Sequence, residues 1–134
     1  MKNTRHLFFT VLALALCGCS DGTQIPTKFV QRLSSTERLV VTNRYYAFGA
    51  TITGTNVNSL IIAIKSSKAK KWGAGMDWGS PSVCNLEFYA GTNHLISIPA
   101  EHGVFKLDGV EYNDGSGVLE AFCRKATGDS PARK

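Results

Sequence analysis

The sequence predicts an all-β domain: a small antiparallel sandwich or barrel of about seven or eight strands. Two observations carry this reading. Apolar residues recur with period two in short runs separated by turn residues, the pattern of half-buried strands. No window of about 12 residues or more shows the 3.6-residue periodicity of an amphipathic helix. The alternative is an α+β domain whose one short helix lies in Thr27–Arg38. At 134 residues, 43% hydrophobic and 19% charged, the chain is one small globular domain plus a terminal extra, since domains run roughly 100–200 residues.

The terminal extra comes first. Lys2 and Arg5 form a short positive segment, and Leu7 to Leu16 is apolar throughout except for Thr10. Ten residues of helix cover about 15 Å, half the hydrocarbon core of a bilayer. The run therefore suits the apolar centre of a secretory signal peptide rather than a membrane span. Leu16, Cys17, Gly18 and Cys19 follow. This resembles the lipobox of bacterial lipoproteins, an aliphatic residue, two small positions and the cysteine that becomes the lipidated first residue. Cys17 is an uncommon occupant of the middle position. The resemblance implies cleavage after Gly18, then a diacylglyceryl thioether and an acylated amine of the palmitate type on Cys19. A single acyl chain anchors only marginally and stable anchoring takes a second signal, so such a lipidated cysteine holds the protein to a leaflet. Ser20, not aspartate, follows Cys19. In that family's sorting pattern this points to the outer membrane, here its periplasmic face.

The rest of the chain divides accordingly. Residues 1–18 are the signal peptide, 19–35 the lipidated cysteine and a polar tether, 36–125 the β domain and 126–134 a disordered tail without large apolar side chains. In the domain, Arg38–Thr42 and Tyr45–Thr53 are the first two strands, the second with Tyr46, Phe48, Ala50 and Ile52 on one face. A turn at Gly54–Asn56 leads to Ser59–Lys65 as a more fully buried strand. Val83–Ala90 and His94–Ile98 flank a turn at Ala90–Asn93. Val104–Leu107 and Val110–Tyr112 flank Asp108-Gly109, the strongest short hairpin signal in the chain. Val118–Arg124 is the last strand.

Given the lipoprotein resemblance, Cys17 leaves with the signal peptide and Cys19 is acylated, so Cys84 and Cys123 remain as a pair in an oxidising compartment. One disulfide is the expectation. Parity agrees: Cys84 shares a strand face with Leu86 and Phe88, and Cys123 with Leu119 and Ala121. Closing a loop of about 40 residues stabilises a domain by roughly 3–4 kcal/mol in the chain-entropy account.

The chemistry-bearing motifs are few. There is no P-loop, GxSxG, HExxH or paired CxxC, and no cofactor or metal is expected. Ser67 and Lys70 match SxxK, the acylation motif of penicillin-binding proteins, without its partner motifs. His94, Glu101 and His102 have spacing suited to neither one helix face nor one strand. Of the 15 basic side chains, Lys2 and Arg5 belong to the signal peptide, leaving 13 against 10 acidic ones. That net charge of +3 is too modest for a nucleic-acid binder. What stands out is Ser66–Ser82, a long Gly- and Ser-rich connection carrying Lys68, Lys70, Lys71 and both tryptophans, Trp72 and Trp78. Loops of that length in a compact domain are usually functional or disordered, and tryptophan is enriched at binding hot spots. The expected function is a non-enzymatic protein-binding module anchored in the outer membrane: an inhibitor, an immunity or exclusion factor, or an envelope-assembly subunit. The alternative is a binder of an anionic envelope polymer, peptidoglycan or lipopolysaccharide, or a structural envelope lipoprotein.

Overall fold

The computed structural model describes residues 22–43, 45, 48–70 and 75–127. Cys19 and the expected signal peptide lie outside these residues, as do Lys71, Trp72 and residues 128–134. The described chain is mostly β. Its strands are β1 (Arg38–Asn43), β2 (Phe48–Thr53), β3 (Lys68–Ala69), β4 (Cys84–Ala90), β5 (Asn93–Glu101), β6 (Val104–Leu107) and β7 (Val110–Asn113). They form one open antiparallel sheet in the order β2-β1-β4-β5-β6-β7-β3. Three helices complete it: α1 (Thr27–Ser34), α2 (Thr55–Ser66) and α3 (Val118–Thr127).

The expected sandwich or barrel is thus corrected to an open sheet with three helices. One face of the sheet, including Leu39, Val41, Leu86, Phe88, Ile98 and Phe105, joins Phe29, Leu33, Leu60, Ile64, Leu119 and Cys123 of the helices in a single core. Helices bury that face, where a sandwich would use a second sheet.

Two expected strands are helices for the same physical reason. Ser59–Lys65 lies within α2, which buries Val57, Leu60, Ile61 and Ile64 at helical spacing and leaves Ile62 64% exposed. A short apolar run has no period of its own to distinguish helix from strand. The turn expected at Gly54–Asn56 is the start of this helix, where Val57 and Asn58 donate their N–H groups to the Gly54 carbonyl. Val118–Arg124 lies within α3, which buries Leu119, Cys123 and Ala126. Asp114 holds its first turn. Its Oδ2 accepts the Leu119 N–H at 2.9 Å and its Oδ1 accepts the Ser116 N–H at 2.8 Å, satisfying donors that a helix N-terminus leaves unpaired.

The tether reading of residues 19–35 is corrected over its described part. Ile25, Phe29 and Leu33 are core residues, and Gln24 bridges to Lys68. The α+β alternative placed its helix here, and α1 stands at Thr27–Ser34. The polar composition misleads because an eight-residue helix with a narrow apolar stripe needs only two buried residues a turn apart.

The locally encoded hairpins stand as expected. Asp108 and Gly109 turn β6 into β7 with φ of 51° and 81°, both positive as a type I′ turn requires. The Ala90–Asn93 turn joins β4 to β5, whose register slips by one between Phe88–Ile96 and Tyr89–His94. Cys84 and Cys123, expected as a disulfide between strands, stand as two buried thiols on β4 and α3. The Cys84 Sγ lies 3.9 Å from the Cys123 carbonyl oxygen.

Candidate functional site

The face of the sheet away from the helices is crossed by the long connection that the sequence singles out, and topology dictates its path. α2 carries the chain from β2, at one edge, to β3, at the other. The chain must then return to β4 past β7, β6 and β5, four inter-strand spacings or about 19 Å. With the helices on one face, the described residues 75–83 of the return lie across the other.

Glu111 on β7 pins this crossing. Its Oε1 accepts the Met76 N–H and the Trp78 indole N–H, both at 2.9 Å, and its Oε2 lies 3.7 Å from Lys70 Nζ. The Met76 amide leads in holding its carboxyl below the ordinary glutamate value; burial opposes, while the Trp78 indole, Lys70 and Lys106 add to the lowering. The Lys106 ammonium sits 5.9 Å from the centre of the Trp78 ring. Further along, the Tyr45 hydroxyl donates to the Gly79 carbonyl at 2.9 Å. The buried Asn43 amide donates to the carbonyls of Pro81 and Val83. Ser80 donates its hydroxyl to the buried Glu101 carboxylate at 3.0 Å.

Between this crossing and the sheet lies a cleft of about 340 Å³. Tyr45 and Trp78 supply its aromatic surface, Val83 and Pro99 its aliphatic surface, and Thr42, Ser80 and Asn85 its hydrogen-bonding groups. No charged side chain lines it among the described residues. Beyond the cleft the same face is polar and internally paired. Glu87 accepts from the Asn85 amide at 3.0 Å and the Tyr89 hydroxyl at 2.9 Å. The bond to Glu87 raises the Tyr89 pKa. The Arg38 guanidinium stacks over the Tyr89 ring at 4.3 Å, and the His94 ring meets it edge-on at 5.3 Å. His94 Nε2 and Ser97 Oγ share a hydrogen bond of 2.8 Å.

Of the residues singled out by sequence that are described, Trp78 alone lines this cleft. Lys68 belongs to β3, paired with Asn113, and Lys70 donates its backbone N–H to the Glu111 carbonyl. Both lie toward the far edge of the sheet. Ser67 and Lys70 flank an extended segment, with the Ser67 hydroxyl buried against the Ala63 carbonyl and Lys70 beside Glu111, so the SxxK match brings no serine and lysine together. Cys84 and Cys123 share a hydrogen bond inside the core. That contact lowers the Cys84 pKa, and the same contact together with burial raises that of Cys123. His102 is exposed in a turn at φ 47°, with Nε2 3.9 Å from Glu101. Sequence reasoning missed Tyr45, Thr42, Asn85, Pro99 and Glu111. The signal for Thr42 and Asn85 was present, since each alternates with core residues along its strand. Nothing local marks Glu111 as the anchor of residues more than 30 positions away. The chain matches no protein-family model, no curated protein and no solved structure.

Proposed function

We propose that this chain is a lipid-anchored lipoprotein on the periplasmic face of the outer membrane. In this reading it is a non-enzymatic binding module that engages a protein partner through the open face of its sheet, with Trp78 and Tyr45 as anchors. The observation that carries the reading is the one-sided burial. Three helices cover one face, while the other holds an aromatic cleft surrounded by paired polar groups, the layout of an apolar interface centre with a polar rim. Lys68 and Lys70 supply steering charge at its edge, and Lys71 adds to it from the adjoining sequence, a charge that acts on association rate more than on affinity. Anchoring rests on Cys19 and the apolar run before it. In the oxidising periplasm the Cys84 and Cys123 thiols pass two electrons and two protons to a protein disulfide and become one disulfide themselves. The contact of the Cys84 thiol with the Cys123 carbonyl oxygen, at 3.9 Å inside the core, supports this pairing.

A second reading has its own observation. A cleft with aromatic walls, hydroxyl and amide groups and no charge suits the apolar face and hydroxyls of a sugar ring, as offered by peptidoglycan or lipopolysaccharide. Affinity purification from detergent-solubilised envelopes separates the two. One stoichiometric protein is expected on the first reading and polymer on the second. Trp78→Ala should weaken capture by about 2 kcal/mol or more without a matching fall in melting temperature. Loss of binding only in proportion to loss of stability would retire the cleft as the contact.

A further inference from the structure

We propose that the outer edge of β2 is a second docking site, which takes an extended, carboxylate-bearing segment of a partner polypeptide as an added strand. β2 is an edge strand of six residues, Phe48–Thr53. Among the described residues no strand pairs with its outer side. Exposed edges carry unpaired N–H and C=O groups and are usually shielded by charge, proline, bulges or shortness. The opposite edge, β3, is only two residues long and is extended by the Gln24 bridge. β2 has neither charge nor proline, carries the β-branched Thr51, Ile52 and Thr53 in succession, and pairs with β1 in unbroken register.

A groove of about 500 Å³ runs beside that edge on the helix side. Val41, Ala50 and Ile52 of the sheet and Ala121 and Phe122 of α3 line it, with Lys125 as its only charged lining residue among those described. Thr51 also lines it. By register Thr51 pairs with Val40 and Ala50 with core-facing Val41, so Thr51 belongs to the other face and reaches the groove only at the strand's edge. The groove therefore opens where an added strand would lie.

This arrangement selects its occupant. Only an extended backbone satisfies alternating donors and acceptors along a strand, while pockets for its alternate side chains give specificity. Apolar side chains on the helix side would enter the groove, and a carboxylate would meet the exposed Lys125. A second copy of this chain pairing through its own β2 would bring no carboxylate, because Phe48–Thr53 contains none.

The test is a selection of random dodecapeptides on the full mature chain, followed by hydrogen exchange with the resynthesised binders. The expected peptides alternate apolar and polar residues, carry Asp or Glu, and protect the amides of β2. Methylating alternate peptide nitrogens should abolish that protection. Lys125→Glu should weaken binding roughly tenfold or more, the scale of a lost charge-assisted hydrogen bond, with an unchanged melting temperature. The proposal is overturned if no peptide is enriched or if methylation has no effect. It is also overturned if protection falls on the Trp78 cleft, or if the protein alone shows concentration-dependent dimerisation with β2 protected. Trp78→Ala should leave peptide binding at β2 unchanged, which separates this site from the open face.

Discussion

Glu111 fastens the open face, because its two oxygens together hold a backbone amide, an indole and an ammonium from the returning chain. Its pKa sits below the ordinary glutamate value. A carboxylate lowered in the folded state contributes stability that is fully present above its unfolded pKa and is lost as pH falls through the lowered one. The crossing should therefore be anchored at neutral pH and loosen in the acid range below the ordinary glutamate value. In a Trp72→Phe background, Trp78 emission should shift to the red over that range, and Glu111→Gln should remove the pH dependence. An emission spectrum flat with pH while Glu111 is present would contradict the anchoring. Asp114 shows the same physics at a helix end. Burial alone would raise its pKa, and hydrogen bonds from Ser116, Leu119 and Val118 outweigh it to give a net lowering. The Asp114-Gly115-Ser116 stretch reads locally as a turn, and it is one, with the Asp114 carboxylate reaching forward to the first turn of α3.

At the scale of elements, α2 tests how an apolar run chooses its conformation. As a strand, Ser59–Lys65 would place Ile62 and Ile64 on one face with equal cost of substitution. As a helix it exposes Ile62 and buries Ile64 completely. Ile64→Ala should cost about 2–5 kcal/mol of unfolding free energy, while Ile62→Lys should stay within about 0.5 kcal/mol of zero, measured by denaturant unfolding. Equal costs would restore the strand. α3 changes the meaning of the cysteine pair in the same way. The proposed Cys84 to Cys123 bond would tie the sheet to the helix that covers it and so fix the packing of two layers. Cys84→Ala in protein from an oxidising compartment should lower the melting temperature by roughly 5 °C or more, as 1 kcal/mol shifts a domain of this size by several degrees. The non-reduced protein should yield one linked peptide pair by mass spectrometry, and two unlinked thiols would refute the bond.

At the scale of the whole molecule, the sheet has one dry face and one face left for contact, and the proposed anchor would set that second face in the periplasm. Cys19→Ser should give unprocessed precursor or soluble protein on fractionation. Mature Cys19→Ser protein that still sediments with the outer membrane would end the lipoprotein reading. The two proposed surfaces, the Trp78 cleft and the β2 edge, lie in different parts of the sheet and answer to different variants.

Features governed by near neighbours were legible in the sequence by itself. The Asp108-Gly109 hairpin, the Ala90–Asn93 turn and the two-residue alternation of β1, β4 and β5 follow from backbone sterics and from side chains a few positions apart. Other features were decided only by the tertiary structure. Residues 59–65 and 118–124 become helices because the surface they bury against is a sheet assembled from distant strands, and a short apolar run obeys that surface rather than its own propensity. The strand order, with β3 at the far edge, sends the return to β4, described at residues 75–83, across the open face, and only then do Trp78, Tyr45 and Glu111 come together. Such a meeting depends on contacts between residues more than 30 positions apart, and no local pattern encodes it.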